Sequence, residues 1–177
     1  MNILVLNGSP KGENSITLQT VRFLELLSKK HTFTVLHVGQ KIRTFEQDFT
    51  EAKTAMEQAD VLLVSYPVYT FIVLYQLHRF IELMKEHNVT VTGKIATQIT
   101  TSKHFYDITA HRFIQENCQE LDMNYIRGLS ADMEDLPTKK GQQETKKFWS
   151  HFLWSVKQGI YEPCYLKTTA PKYKPVI

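Results

Sequence analysis

The segment Asn7–Thr17 (NGSPKGENSIT) joins an apolar run to a helical pattern and is rich in groups that bind anions. Unpaired backbone N–H groups at the start of a helix, together with the helix dipole, favour negative charge. Ser15 can cap this helix, and Thr17 adds a hydroxyl in its first turn. A phosphate set against Ser9, Ser15, the Ile16 N–H and Thr17 would use these donors. The segment therefore predicts a phosphate site, with an ordinary capped turn as the alternative.

This segment matches neither of two familiar phosphate-binding patterns. It lacks the G-x-x-x-x-G-K-[ST] sequence of the P-loop and the G-x-G-x-x-G sequence of dinucleotide-binding folds. The donors and their position at a helix start are therefore the features that predict the phosphate site.

A second polar stretch, Thr100–His104 (TTSKH), brings hydroxyls and a cation to the end of an apolar run. His104, Asp107 and His111 share one helix face, which raises the possibility of a metal site. No fourth ligand suggests itself, so no metal is predicted. Asp107 is instead expected to cap the helix, and His111 to pack or hydrogen-bond locally. For Lys103 the alternative to a ligand contact is a solvent-facing side chain.

A third stretch, Tyr66–Phe71 (YPVYTF), is apolar and aromatic and directly follows a buried-strand pattern. Its aromatic side chains have two interpretations. Tyr69 and Phe71 either line a ligand site or plug the core.

Short β-branched runs that alternate with longer helical patterns must position these three stretches. The predicted strands are Asn2–Leu6, Thr32–Val38 (ended by Gly39), Val61–Ser65 (ended at Tyr66-Pro67), Lys94–Thr100 and Tyr125–Ala131. The predicted helices are Ser15–Lys30, Glu46–Ala59, Val73–His87, Ala110–Leu121 and Phe148–Ile160.

This alternation predicts an α/β fold with a mainly parallel sheet and helices on both faces. Five strands in about 160 residues favour a flavodoxin-like three-layer sandwich with strand order 2-1-3-4-5. In such sheets ligands bind beyond the carboxyl ends of the strands, which is where all three stretches lie.

The three stretches also resemble one family of proteins. NGSPKGENSIT after an N-terminal strand is similar to the phosphate loop of flavodoxin-like NAD(P)H-dependent FMN reductases, which typically begins N-G-S-x-R/K. The similarity continues through SYPVYTF (65–71) and TTSKHFYDITAH (100–111), in the expected order and spacing. The chain looks in particular like the N-terminal domain of bacterial flavodoxin-family oxidoreductases, some of which continue into a further domain.

The resemblance implies FMN as the cofactor and NAD(P)H as the electron donor. The first loop would bind the phosphate, the second would line the flavin ring, and the third would contact its pyrimidine edge. The resemblance identifies no catalytic residue. Tyr69 and His104 are candidates for steering substrate or a proton. The family often has an apolar residue where Lys103 stands. The cofactor-binding residues so implied are Ser9, Lys11, Ser15, Ile16, Thr17, Pro67, Val68, Tyr69, Thr70, Thr100, Thr101, Ser102, Lys103 and His104.

Composition narrows the remaining possibilities. No segment has the roughly 20 apolar residues of a membrane-spanning helix, and no secretory signal precedes the first strand. Cys118 and Cys164 have no metal or disulfide spacing, so a cytoplasmic protein is expected. Residues 139–177 carry eight lysines against two glutamates and account for the net charge of +3. Without a binding motif, this basic end does not predict a nucleic-acid partner.

Three functions are therefore compatible with the sequence. The first is an FMN-dependent enzyme that reduces a quinone, a free flavin, a nitro or azo compound, or a protein acceptor. The second is a flavodoxin-type electron carrier without enzymatic turnover, and the third is a redox module of a larger protein. Residues 1–160 are expected to form the FMN-binding domain, and the proline-rich residues 161–177 a tail or linker. By analogy with the family a homodimer is expected, with Phe71, Tyr75 and Phe105 on its surface.

Overall fold

The computed structural model describes residues 1–103 and 106–164, which form alternating strands and helices. The strands are β1 Asn2–Asn7, β2 Thr32–Leu36, β3 Val61–Val68, β4 Ile95–Ser102, β5 Asn124–Tyr125 and β6 Leu129–Asp132. The helices are α1 Ile16–Leu27, α2 Val38–Gln47, α3 Thr50–Gln58, α4 Tyr75–Glu86, α5 Ile108–Glu120 and α6 Lys139–Gln158. A 3₁₀ turn at Gly12–Asn14 precedes α1.

The strands form one parallel sheet in the order β2-β1-β3-β4-β5, with β6 also paired to β4. The predicted flavodoxin-like order 2-1-3-4-5 is thereby confirmed. β5 pairs with the start of β4 at Ile95 and Ala96, and β6 pairs with its end at Ile99–Ser102. The predicted single strand Tyr125–Ala131 is therefore two short strands along one edge.

Side-chain alternation along the strands divides the core between the two faces of the sheet. Leu4 and Leu6 pack with the buried side chains of α2, α3, α4 and α5 on one face. Ile3 and Val5 pack on the other face with α1 and α6, including Phe152. The three layers expected from the sequence are present.

The largest difference from the sequence prediction lies after β2. That strand ends at Leu36, and Val38 begins a helix that the sequence analysis read as the end of the strand. His37 at the helix start makes no capping hydrogen bond with its side chain, so the usual start signal is missing. The predicted helix Glu46–Ala59 is likewise two helices, α2 and α3, separated at Asp48 and Phe49.

Strands β3 and β4 extend beyond the carboxyl ends that the sequence predicted for them. β3 continues through Pro67 to Val68, although proline cannot donate a ladder hydrogen bond. The Ser65 carbonyl accepts from Gly8 on the β1 side, and Pro67 faces the same side because strand residues alternate. β1 has ended at Asn7 by that point, so the missing N–H leaves no partner unpaired.

Within the described residues, no helix combines the length and apolar character needed to cross a membrane. Helix α6 ends at Gly159, which has φ +66° and closes the helix in the left-handed conformation. The chain then continues as Tyr161–Cys164, where the Glu162 N–H donates to the Tyr125 carbonyl at 2.8 Å. The boundary expected at residue 160 stays a prediction.

Candidate functional site

Two adjoining cavities lie at the carboxyl end of the sheet, where the loops after β1, β3 and β4 meet. A small cavity of about 70 Å³ is lined by the first turn of α1 and by Pro67 and Thr101. A wider groove of about 260 Å³ is lined by residues after β3 and β4. Tyr69 and Met133 contribute to both. The place expected from the sheet topology therefore contains a polar cavity beside an open groove.

The start of α1 presents unpaired amides to the small cavity. The Ser15 hydroxyl accepts from the Leu18 N–H at 3.4 Å, and the Ser15 carbonyl accepts from the Gln19 N–H. Within the described part of the chain, no group accepts from the Ile16 or Thr17 amides. Ser15 is thus the predicted cap, and two amides of the first turn stay available to an anion.

A buried pair of hydroxyls forms the inner wall of this cavity. Thr17 Oγ1 and Thr101 Oγ1 lie 2.6 Å apart, and both residues are buried. One hydroxyl donates to the other, so the second proton remains for another acceptor. Both residues line the cavity, and the pair therefore offers one donor to a ligand there.

The loop that carries Ser9 and Lys11 is held by the end of β1. Asn7 Nδ2 donates to the Gly12 carbonyl at 3.1 Å, and Asn7 Oδ1 accepts from the Ser9 N–H at 3.2 Å. Helix α2 supports the loop from behind, because a Cβ on Gly39 would lie 2.4 Å from the Ser9 carbonyl oxygen. Ser9 and Lys11 both line the small cavity.

His37 completes the support of this loop. Asn7 Nδ2 is 3.2 Å from His37 Nδ1, and His37 Nε2 is 3.0 Å from Glu13 Oε1. An amide nitrogen only donates and a carboxylate only accepts. Neutral His37 therefore carries its proton on Nε2, where it links the loop to the first turn of α2.

Aromatic and apolar side chains after β3 form one wall of the groove. Val68, Tyr69, Thr70 and Phe71 line it, and Tyr69 and Phe71 are 53% and 56% exposed. These two side chains therefore do not plug the core. Phe71 has φ 58°, a strained value for an aromatic residue, and its carbonyl accepts from the Ala110 N–H at 3.1 Å.

The residues at the carboxyl end of β4 divide between the two cavities. Thr101 lines the small cavity, whereas Ser102 and Lys103 line the groove. Lys103 is exposed and its Nζ lies 3.3 Å from Glu134 Oε1. His104 lies outside the described residues.

Thr100 points away from both cavities. Its Oγ1 contacts Asp107 Oδ2 at 3.0 Å and His111 Nε2 at 2.8 Å. Ser130 Oγ also donates to Asp107 Oδ2. The side-chain direction of Thr100 therefore gives no support to the direct ligand contact that the resemblance implied.

Asp107 stands at the first position before α5 but makes no capping hydrogen bond, contrary to expectation. It is buried, and His111, Ser130 and Thr100 surround its carboxylate. Hydrogen bonding to His111 is the main cause that holds the pKa of Asp107 well below its usual value, against the effect of burial. His111 hydrogen-bonds locally, as expected.

Three groove residues were missed or differently used by the sequence analysis. Met133 and Tyr106 were not named individually, and Phe71 was not included among the implied cofactor-binding residues. Met133 directly follows β6, which ends at Asp132. Its position at the carboxyl end of an edge strand was the signal that could have identified it.

The described residues contain no group of three or more His, Cys, Asp and Glu side chains that could hold a metal ion. Cys118 is buried on α5, and burial raises the pKa of its thiol to about 12. Cys164 is exposed, and neither cysteine is in a disulfide.

The comparisons with known proteins agree with this architecture. A family described as having a flavodoxin-like fold matches residues 1–124. No curated protein matches the chain.

Three solved structures illustrate the similarity of fold. An apo NADH:FMN oxidoreductase matches 87% of this chain and 89% of its own, with 17% identity and a TM-score of 0.71. An FMN-dependent NADH-azoreductase from Bacillus anthracis, solved with FMN, matches 85% and 98%, with 13% identity and a TM-score of 0.65. An archaeal flavodoxin matches 89% and 99%, with 18% identity and a TM-score of 0.60. At these identities the similarity concerns the fold.

Proposed function

Because the chain belongs to the family with a flavodoxin-like fold, we propose that it binds FMN and transfers reducing equivalents from NAD(P)H to a second acceptor. The acceptor is a quinone, a free flavin, a nitro or azo compound, or a protein partner. The solved oxidoreductases with similar folds support this class of reaction.

The observation that carries the proposal is the presence of two cavities of different chemistry side by side. The small one offers the amides of Ile16 and Thr17 and a spare hydroxyl proton. The groove beside it is open and has aromatic walls. FMN has the same two parts, a phosphate and a flat, partly apolar ring, so one molecule would occupy both.

In this proposal the side chains and amides of the protein bind FMN and orient it. Ser9, Lys11, Ser15 and the first turn of α1 hold the phosphate, and Pro67, Val68, Tyr69 and Thr70 line the ribityl chain and ring. Thr101 lies with Thr17 at the phosphate, and Ser102 and Lys103 line the groove that takes the ring. Bound FMN supplies the hydride and electron chemistry itself. Tyr69, which is half exposed and lines both cavities, and His104 are candidates for steering substrate or a proton.

The visible absorption spectrum of the purified chain tests the proposal directly. The chain is titrated with FMN and then with NADPH, and separately NADH, without oxygen. A bound flavin spectrum that bleaches on addition of a nicotinamide is the expected result. Turnover of NAD(P)H with added quinone, nitro or azo compound then identifies the acceptor class. Failure to bind FMN would contradict the proposed site.

A flavodoxin-type electron carrier, or a redox module of a larger protein, is the second candidate. The similarity to solved flavodoxins supports it. Flavin that binds but is not bleached by NADH or NADPH favours this candidate over the enzyme. In that proposal residues 1–160 form the FMN domain and residues 161–177 the tail or linker.

We also propose that the chain acts as a cytoplasmic homodimer. Phe71, in the groove wall, and Tyr75, at the start of α4, are 56% and 65% exposed, and Phe105 lies outside the described residues. Exposed aromatic surface of this kind is typical of interfaces. Light scattering of the FMN-loaded protein tests the proposal, and a monomeric mass would overturn it.

A further inference from the structure

A cavity of about 410 Å³ lies beside the outer edge of the sheet, between α5 and the short strands β5 and β6. It is separate from the groove, because the two share no lining residue. His111, Arg112 and Gln115 line it from α5, and Tyr125 and Arg127 line it from the sheet edge. None of the roles proposed above uses this cavity.

The cavity exists because the edge strand is interrupted. β5 ends at Tyr125 and β6 begins at Leu129. At Gly128 the chain passes so close to β4 that a Cβ would lie 2.3 Å from the Gln98 carbonyl oxygen. Position 128 therefore requires glycine, which contributes only backbone to the cavity lining.

Two arginines at this cavity have no partner in the described part of the chain. Arg22 pairs with Glu13 and Glu25, and Arg79 pairs with three glutamates. Arg112 and Arg127 take part in neither an ion pair nor a hydrogen bond among residues 1–103 and 106–164. A guanidinium offers five N–H donors that suit carboxylate and phosphate oxygens. Two such groups therefore line one cavity without an ion-pair partner among the described residues.

A buried hydroxyl supplies an independent donor. Gln98 Nε2 donates to the His111 carbonyl at 2.9 Å and to the Tyr125 hydroxyl oxygen, while Gln98 Oε1 accepts from Tyr66 at 2.7 Å. The His111 carbonyl can only accept, which fixes the orientation of the amide. Tyr125 is thus an acceptor in this network and keeps its own proton, for which the described residues provide no acceptor. Tyr125 is only 2% exposed, and it lines the cavity.

Two carboxylates, Asp107 and Glu162, also line this cavity, and that of Asp107 is already hydrogen-bonded to Thr100 and Ser130. Burial is the main cause that raises the pKa of Tyr125 above its usual value, and the Glu162 carboxylate raises it further. The hydroxyl therefore stays protonated, and the carboxylate disfavours ligands of high negative charge.

We infer that this cavity is a second ligand site, which binds a small organic anion through Arg112, Arg127 and the Tyr125 hydroxyl. The anionic group is a carboxylate or a phosphate ester of low charge. The inference rests on the residues of this cavity and is independent of FMN binding.

The test is a titration of the full chain with acetate and with inorganic phosphate, followed residue by residue by NMR at constant ionic strength. Shifts at the Gly128 amide report this cavity, and shifts at the Gly12 amide report the loop after β1. We expect saturable shifts at Gly128, and the anion with the higher affinity distinguishes a carboxylate from a phosphate ligand. Absence of saturable shifts at Gly128 with both anions would overturn the inference.

Three variants and a control make the test specific. Arg112 and Arg127 are exposed, so Arg112→Gln and Arg127→Gln should each weaken binding about fivefold, the upper range for an exposed ion pair. Glu162→Gln should strengthen it, because it removes one of the two carboxylates that line the cavity. Arg43→Gln alters an exposed arginine on α2 and should have no effect. Equal affinities in all four variants would show that general ionic attraction, and not this cavity, binds the anion.

Discussion

The hydroxyl pair Thr17–Thr101 joins two segments that are distant in the chain at the point where a phosphate is proposed to bind. The two hydroxyls have one proton each, so the pair can make one internal hydrogen bond and donate one more. One proton is used between them, and the other is directed to the cavity. The pair therefore holds two segments together and also offers a hydrogen-bond donor to a ligand in the cavity.

Thr17→Val should weaken FMN binding about tenfold or more, because a hydrogen bond to a charged group contributes roughly 1.5–3 kcal/mol. The shape of the side chain is retained, so the fold should persist. Quenching of FMN fluorescence gives the dissociation constant. Thr54→Val removes an exposed hydroxyl from α3 and serves as the control. Equal constants for the two variants would remove Thr17 from the proposed site.

Asp107 is the residue whose titration should affect stability most clearly. Its folded pKa is lowered by His111, Ser130 and Thr100, so its ionised form stabilises the fold above the usual carboxyl pKa. That contribution is lost progressively as the pH falls from the usual value toward the lowered one.

Asp107→Asn should therefore destabilise the protein by about 1.5–3 kcal/mol at neutral pH, and the difference from the unsubstituted chain should shrink in acid. Urea unfolding at neutral and at acid pH measures both effects. Asp122→Asn, at an exposed position with φ 56°, is the matched control. A difference independent of pH would show that the lowered pKa does not stabilise the fold.

Helix α2 is the element that the sequence analysis missed, and it supports the loop after β1. Val38, Ile42 and Phe45 are buried at helical spacing, so periodicity alone could have found it. The absence of a capping residue and the glycine at its second position concealed it. A Cβ on Gly39 would lie 2.4 Å from backbone oxygens of Gly8 and Ser9.

Gly39→Ala should cost about 1–3 kcal/mol of stability and should also weaken FMN binding, because the loop or the helix must move. Gly93→Ala provides the comparison. Gly93 has φ +75° with open space around it, at the amino end of β4. The Gly93→Ala variant should lose stability through backbone strain but keep its affinity for FMN. Unchanged FMN affinity in Gly39→Ala would show that α2 does not position the loop.

The order of strands and the presence of cavities at the carboxyl end of the sheet could be predicted, because buried β-branched runs and the carboxyl-end rule depend only on local patterns. Side-chain direction was harder to predict. Thr100 and Thr101 are adjacent in sequence but face opposite sides of the sheet, so only Thr101 reaches the small cavity. The split between β5 and β6 depends on the close approach of Gly128 to Gln98, which no local pattern reveals.

For the molecule as a whole, a ligand that bridges the ends of β1, β3 and β4 links residues from both faces of the sheet. Binding to the folded state alone adds about 2.7 kcal/mol at a ligand concentration one hundred times the dissociation constant. For a chain of this size, that corresponds to a rise in Tm of about 5–10 °C. Scanning calorimetry with FMN and with riboflavin tests this. The shift should be much smaller with riboflavin, which lacks the phosphate, and equal shifts would contradict the phosphate site.

The interrupted edge has a consequence for association between copies of the chain. An exposed, unbroken edge strand is a template on which another molecule can add its own strand, which is how sheets grow into aggregates. Here β5 has two residues and β6 has four, and the Tyr125 carbonyl is already taken by the Glu162 N–H. This border of the sheet therefore offers no long row of free backbone groups. Two copies that associate here must do so through side chains, and the sheet is protected from edge-to-edge polymerisation on this side.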